Sequence, residues 1–276
     1  MLINEDWDIV INSSTKKKKY WSEIWSFREL FYVLSWRDIK VRYKQTFLGV
    51  MWSVIRPLLT AIIFTLVFKK IANLNYTNDA PYVLMVMVGM LPWQFFSSAI
   101  SESSSSLIGN SNLITKIYFP RIIIPASSII TCLVDFLISC VVLAFMFLGY
   151  QFVPSWHIVF LPIAILFVFM LAFGCGLWLT SSNVKYRDFR YVIPFLLQLG
   201  LYISPVGFNS SIIAEKWEML FALNPLVGII ELFRWCILGE PIHVFSLSMA
   251  FIFTGFMFFV GLKSFRKMEK HFADHI

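Results

Sequence analysis

The sequence predicts an all-α, polytopic membrane protein. It has six transmembrane helices, an N-terminal amphipathic interface helix and two short re-entrant helices before the last span. Three observations carry this expectation. The 276 residues are 58% hydrophobic and only 14% charged, where a soluble domain carries about 25% charged residues. Their mean hydropathy is +0.74, more apolar surface than one water-soluble core can hide. Long apolar runs recur along the chain, and the basic residues fall on alternate connections between them.

A helix needs roughly 20 apolar residues to cross the ~30 Å hydrocarbon layer. Six stretches approach that length: about 47–68, 82–107, 122–148, 158–180, 191–207 and 244–262. The second is interrupted by Pro92 and ends in serines, and the fifth is short and holds Pro194 and Pro205. Proline is tolerated in such helices when neighbours satisfy the freed carbonyls. Six spans divide the chain into a cytoplasmic segment 1–46, a helical membrane domain 47–264 and a cytoplasmic tail 265–276.

Six crossings place both termini on one side. Of the 23 Lys and Arg residues, all but Lys69, Lys70, Lys216 and Arg234 then lie on that side. By the positive-inside rule it is the cytoplasm. The net charge of +7 is therefore explained by topology and calls for no nucleic-acid partner. The N-terminal "MLINEDWDIVINSSTKKKKYW" has early acids and no compact apolar core. It is expected to stay in the cytoplasm as an uncleaved segment.

The segment before the first span is patterned. Trp21, Ile24, Trp25, Phe27, Leu30, Phe31, Leu34 and Ile39 alternate with charges at near-helical spacing, which predicts an amphipathic helix in the membrane interface. Arg37, Lys40, Arg42 and Lys44 follow it directly. Two readings of that cluster stand: a topological flank, or a flank that also meets anionic head groups at about 1 kcal/mol per charge.

Two connections carry more than a linker needs. The cytoplasmic "GNSNLITKIYFPRIIIP" at 109–125 holds Leu113, Ile114, Ile117, Tyr118 and Phe119. It fits a short helix seated in a partner's pocket, or one turned toward lipid. The outer segment 208–243 contains two apolar pieces broken at Asn224-Pro225, too short to span. It fits two half-helices dipping into the outer leaflet, or an amphipathic lid on the surface. Glu231 and Arg234 are spaced to pair there at i,i+3.

Ionisable residues inside apolar runs are costly unless paired. Arg56 and Asp135 lie at similar depths in the first and third spans, which predicts an Arg56–Asp135 pair. Glu102 sits near the cytoplasmic end of the second span, where it either pairs or reaches water. Aromatics near the spans, including Trp93, Phe95, Phe96, Tyr191, Phe195 and Tyr202, anchor at head-group level or line a path. Such a path suits sugars, and serines in the run from Ser97 to Ser106 would add hydroxyl contacts.

No catalytic pattern is present: no HExxH, no CxxC, no GxSxG, and no glycine followed by lysine, hence no phosphate-binding GxxxxGK[ST] loop. The chain is expected to be no enzyme, with no cofactor of its own. Its four histidines are scattered, so no metal site is expected, and its four cysteines fit as small apolar residues.

Taken together, "FRELFYVLSWRDIKVRYKQTFLGVMWSVIRPLLT" (27–60), "NLITKIYFPRIIIP" (112–125), "DFRYVIPFLLQLGLYISPV" (188–206) and "NPL" (224–226) resemble the membrane subunit of ABC-2-type exporters for O-antigen, capsular polysaccharide and teichoic acid. The resemblance runs over about residues 20–265. It implies a homodimer working with two ATP-binding-cassette subunits, which bind ATP and Mg, in a bacterial inner membrane. The cargo implied is a polysaccharide linked to a polyprenyl pyrophosphate. The resemblance places the ATPase contacts in the 20–34 and 109–119 segments, at Glu23, Arg28, Glu29, Asn112, Leu113, Ile114, Lys116 and Tyr118. It places the channel among Trp93, Phe95, Phe96, Tyr191, Phe195 and Tyr202. The lipid pyrophosphate would approach Arg37, Lys40, Arg42 and Arg56. Relatives often carry a neutral polar residue before the "PL", so Arg56 either pairs internally or meets that head group. Two rivals remain: an ABC-2 exporter of a drug or lipid, and an ion-coupled transporter using Glu102 and Asp135. The absence of repeated halves weighs against the second.

Overall fold

The computed structural model describes residues 20–44, 49–71, 80–186, 188–210, 215–269 and 272, and their regular structure is helical throughout. The N-terminal stretch 1–19, Arg187 and most of the tail after residue 269 were expected to be cytoplasmic, and they lie outside the described residues. Four helices are long and apolar enough to cross a membrane: α4 (Tyr82–Gly109), α6 (Ile123–Tyr150), α7 (Leu161–Lys185, entered through a 3₁₀ turn at Trp156–Phe160) and α11 (Val244–Met268). The first and fifth expected spans are shorter as α-helices. Helix α3 (Gly49–Phe64) gives way at Thr65 to a π-helical stretch, Thr65–Ile71. Helix α8 (Phe189–Ile203) stops before Ser204-Pro205, where the residue preceding proline is pushed out of helical geometry.

Helix α4 is the axis of the bundle. It packs against α6, α7, α10, α3 and α8, so most of its apolar side chains are buried. Pro92 does not interrupt it.

Small residues let two helix pairs meet at backbone distance, as expected where lipid supplies no hydrophobic force between helices. On α11, Gly261 lies against the Gly174 carbonyl of α7. On α10, Gly228 lies against the Ser246 carbonyl of α11. A side chain at either glycine would enter the neighbouring backbone.

Between α8 and α11 the chain forms two short helices, α9 (Glu215–Ala222) and α10 (Pro225–Leu238). Asn224 separates them. Its side chain accepts from the Leu226 N–H at 3.1 Å, with Pro225 in the first helical position, a favoured helix start. Gly239 at φ 71° ends α10, the left-handed cap that glycine adopts without strain. The surface-lid alternative does not describe α10, which is buried by α4, α7 and α11.

The Glu231–Arg234 pair does not form. Arg234, 1% exposed, turns to the segment after α8 and donates to the carbonyls of Pro205 at 2.7 Å, Val206 at 3.2 Å and Phe208 at 2.9 Å. The Tyr82 hydroxyl donates to the Gly207 carbonyl at 2.6 Å. These carbonyls follow the end of a helix and have no ladder of their own, so a buried guanidinium with five donors satisfies several at once.

The first two helices, α1 (Tyr20–Ser26) and α2 (Arg28–Lys44), are docked onto the bundle. Ile24, Phe27, Leu30, Phe31 and Leu34 form the predicted helical stripe. It packs into a second core with Ile114, Phe119, Ile122 to Ile124, Leu177, Val184, Phe265 and Phe272. The apolar face expected to meet lipid is thus covered by protein, and Trp25, Tyr32 and Val33 remain outward.

Replacing Gly261 with leucine is expected to cost about 1–3 kcal/mol by overpacking. The thermal midpoint in detergent should fall. Gly255→Leu, where a Cβ meets nothing within 4 Å, should leave it unchanged.

Candidate functional site

Helix α2 runs along α6, and its last turn carries the polar centre of the molecule. Arg42 donates to Asp135 at 2.5 Å and to Glu102 at 2.8 Å, and Tyr43 donates its hydroxyl to the other Asp135 oxygen. One guanidinium so joins α2 to α4 and α6. Asp135 lies about 12 residues beyond the start of α6, or ~18 Å along it. The partner expected for Asp135 was Arg56. Arg42 takes that place because α2 rises beside α6 and its long side chain reaches the carboxylate. Arg56 instead lies over the Trp52 ring at 5.8 Å.

Below this bridge is a cavity of about 630 Å³ bounded by α2, α3, α4, α6 and α8. Its walls include Arg42, Arg56, Trp52, Trp93, Glu102, Asp135 and the serines Ser97, Ser98 and Ser101. The serine run of α4 divides in two. Ser97, Ser98 and Ser101 face the cavity. Ser103, Ser104 and Ser106 are buried, and two of their carbonyls bind α7: Thr180 donates to the Ser103 carbonyl at 2.9 Å and Asn183 to the Ser104 carbonyl at 2.8 Å.

The aromatic candidates also separate. Trp93 and Phe95 border the cavity but are largely buried. Phe95 is set against Phe136 and Phe169, with ring centroids 5.6 and 6.4 Å away. Phe96 lies half-buried beside Trp93. Tyr191, Phe195 and Tyr202 are strongly exposed along α8. The structure therefore does not gather the six into one lining. Trp93 also fixes α8, because a Cβ at Gly200 would meet its ring at 2.7 Å.

Helix α1, the 109–119 connection and the end of α11 form a second constellation. The Tyr118 hydroxyl donates to Glu23 at 3.1 Å, which ties the 109–119 connection to α1. Glu269, just past α11, accepts from the Tyr20 hydroxyl at 2.9 Å and from the Arg121 N–H at 2.8 Å. The Arg121 guanidinium donates to the Glu269 carbonyl, and Arg266 covers the Tyr20 ring at 4.4 Å. Ile114 and Phe119, read as partner-facing, are buried in the chain's own second core. Trp21, Trp25, Ile117 and Tyr118 stay exposed, with Arg28 over Trp25 at 6.0 Å. Glu29, Asn112 and Lys116 are exposed, Leu113 is half-buried, and α5 (Ser111–Lys116) holds the last three of these on one turn and a half. Among the expected head-group contacts, Arg37 binds Asp38 at 2.7 Å and Asn110 at 3.1 Å, and Lys40 lies over Trp36 at 5.4 Å.

Sequence reasoning missed Tyr43, Tyr20 and Glu269. Each acts through a partner far along the chain, up to 249 positions away, and no local spacing announces such a contact. Burial raises the carboxyl pKa of Glu269, opposed by its Tyr20 and Arg121 hydrogen bonds. Burial, then Glu269, raises that of the Tyr20 phenol.

Two outcomes follow. Asp135→Ala leaves Arg42 half-buried with one carboxylate and should destabilise the chain by ~1–3 kcal/mol, below the ~3–5 kcal/mol of fully buried pairs because solvent reaches the site. The double change Arg42→Met with Asp135→Leu should recover most of that loss in a thermal or denaturant cycle. For Glu269, a raised folded pKa means the protonated form is favoured in the fold. The clamp is then firmest at acidic pH and weakens as pH rises through that raised value. Amide protection in α1, corrected for the intrinsic pH dependence of exchange, should fall over this interval, and Glu269→Gln should flatten that change.

The ABC-2 type transporter family model matches residues 29–238. The O-antigen export system permease protein RfbA of Klebsiella pneumoniae is 32% identical over 252 residues, 89% of this chain and 94% of that protein. The protein of the same name from Myxococcus xanthus is 28% identical over 214 residues, 77% of this chain and 81% of its own. The polysialic acid transport protein KpsM of Escherichia coli is 25% identical over 240 residues, 85% of this chain and 91% of its own. The matched region holds α2, the Arg42–Glu102–Asp135 bridge, the cavity and α10, and the chain belongs to the ABC-2 type transporter family.

Proposed function

We propose that this chain is the channel-forming permease subunit of an ATP-driven exporter. Its cargo is a polysaccharide carried on a polyprenyl pyrophosphate, of the O-antigen kind, moved across a bacterial inner membrane. The observation that carries this reading is the similarity to O-antigen export permeases over nearly the whole length of both chains. The cavity adds to it, since hydroxyls, indoles and balanced charges suit a sugar better than a purely apolar cargo.

In this reading two copies pair and each recruits one ATP-binding-cassette subunit, which carries ATP and Mg. Six membrane passes leave both termini in the cytoplasm, with α3 and its π-helical extension first, α8 fifth, and α9–α10 a re-entrant pair on the outer side. The exposed Trp21, Trp25, Ile117 and Tyr118, with Arg28, Glu29, Asn112 and Lys116 around them, form the ATPase-docking face. The Glu23–Tyr118 hydrogen bond keeps its two halves in register. Arg37, Lys40 and Arg56 offer positive charge to an approaching pyrophosphate. Arg42 stands among them as the anchor of α2. An ion-coupled mechanism is disfavoured, because Glu102 and Asp135 are both engaged by Arg42.

Mild-detergent purification from native membranes, with stoichiometry and ATPase activity recorded, tests the assembly. The expected result is a 2:2 complex with a nucleotide-binding subunit; repeated recovery of a homo-oligomer with no ATPase would overturn the reading. Trp25→Ala with Tyr118→Ala should release the ATPase. Neutralising Arg37, Lys40 and Arg56 to glutamine, with Arg42 spared, should reduce surface polysaccharide severalfold while the 2:2 complex persists.

A further inference from the structure

The 3₁₀ turn that leads into α7 holds a histidine between two indoles. The His157 ring centroid lies 4.3 Å from that of Trp156 and 4.3 Å from that of Trp235, with the planes tilted by 33° and 41°. Trp156 belongs to the same turn and is strongly exposed. Trp235 belongs to the last turn of α10. The imidazole Nδ1 stands 2.6 Å from the Ser155 hydroxyl. Ser155 is itself fixed to α10. Its N–H donates to the Ile237 carbonyl at 3.0 Å, and its side chain bounds the space at Gly239, the left-handed residue that ends the helix. Phe160 completes the group, 5.5 Å from Trp235. The end of α10 and the entry to α7 are thus joined through one imidazole, which does not border the cavity.

Among the described residues His157 makes no ion pair; Ser155 and the two indoles are its partners. Its turn packs on α10 and α7. The charges of α10 are turned elsewhere. Arg234 donates to the carbonyls of Pro205, Val206 and Phe208, and Glu231 lies toward Ser210, His243 and Ser246. Cys236 is a buried thiol. Past α10, Glu240 accepts from Asn209 at 3.1 Å. The titratable groups of α7 are Cys175, in its second half, and Lys185, at its far end. The charge state of the clasped ring is therefore set by solvent, which reaches His157 because it is only half-buried.

A neutral imidazole in this slot gains stacking alone. An imidazolium gains the faces of two indoles, the rings that attract cations best, and its Nδ1–H donates to Ser155. Histidine is the side chain whose charge ordinarily changes between pH 5 and 8.

We propose that His157 is a pH-operated clasp on α10: protonated, it ties Trp235 to Trp156 and Ser155 and holds the end of α10 to the entry of α7; neutral, it lets that end loosen. The sign follows from linkage. A proton bound better in the clasped state makes that state firmer as pH falls and looser as pH rises. The clasp rests on the reading that puts α9–α10 on the outer side, so the pH it senses is that of the outer compartment. Acid outside then restrains the re-entrant pair and slows export.

The test uses the full chain with its ATPase partner in lipid nanodiscs. Amide exchange over residues 235–239 is followed at pH 7.5 and 5.5 and corrected for the intrinsic pH dependence of exchange. Protection should rise about fivefold at the lower pH, the size of two partly exposed cation–π contacts. His157→Gln should abolish the rise. His157→Arg should keep the segment protected at both pH values, because a guanidinium stacks on indoles and stays charged. Protection that does not rise in acid, or that rises equally in His157→Gln, overturns the clasp. Should His157→Gln fail to fold, Trp156→Leu changes an exposed side chain instead and should shrink the rise; an unchanged rise overturns the clasp as well. In cells, surface polysaccharide should be lower at external pH 5.5 than at 7.5, and His157→Gln should narrow that difference; an equal difference overturns the regulatory role. Val153→Cys separates the clasp from the topology, since Val153 is 84% exposed beside the turn. In right-side-out membrane vesicles a membrane-impermeant maleimide should label it. Labelling only after permeabilisation sinks the outer-side reading and outer sensing with it. Outer labelling without a rise in protection sinks the clasp alone.

Discussion

The molecule depends on one guanidinium. Arg42 is the point at which α2 is fastened to α4 and α6, two of the helices bounding the cavity. A neutral side chain there would leave two carboxylates on the cavity wall without the cation they share. With one carboxylate Arg42 would form a neutral pair; bridging both leaves one net negative charge, which Arg56 on the same cavity wall balances. Bridging both lets α2 rise into the bundle at modest electrostatic cost, and the Tyr43 hydroxyl occupies the second Asp135 oxygen. That fastening sets one wall of the cavity.

Around it the chain has two cores with different work. The larger one holds α4 among its neighbours and is built by close backbone approach and interlocking aromatics, such as Phe95 between Phe136 and Phe169. The smaller one gathers the C-terminal parts of α4, α7 and α11 and the start of α6 with α1, α2 and α5. Leu34 of α2 belongs to the smaller core, and Arg42, eight positions on, reaches the cavity. The smaller core and the cavity wall are therefore joined by one short helix. That is a physical basis for coupling, since a rigid element biased at both ends is what transmission between sites requires.

Much of this was legible in the sequence. Apolar runs located α4, α6, α7 and α11 to within a few residues, and the break at Asn224-Pro225 marked the two short helices. The stripe Ile24, Phe27, Leu30, Phe31 and Leu34 was visible as a helix, but periodicity says only that a face is apolar, not whether lipid or protein covers it. Intramembrane charges were found, yet their pairing was misassigned. Depth along the spans suggested Arg56 for Asp135, whereas α2 brings in a side chain that depth along the spans ignores. Arg234 was misread for a related reason. Its partners are backbone carbonyls at 205, 206 and 208, and carbonyls carry no residue signature.

The contact between Tyr20 and Glu269 closes a ring through nearly the whole polypeptide. Helix α1 leaves the ribosome early, and its polar partner is added some 249 residues later. Until α11 is in place, Phe265 and Phe272 are missing from the small core and the Arg121 N–H lacks its acceptor. The ordered seat of α1 is thus a late property of biogenesis, acquired when the last helix is in place. Nascent or truncated chains present the same tryptophans without the clamp that orders them. The fold in this way reserves the ordered seating of α1 for chains whose last helix is in place.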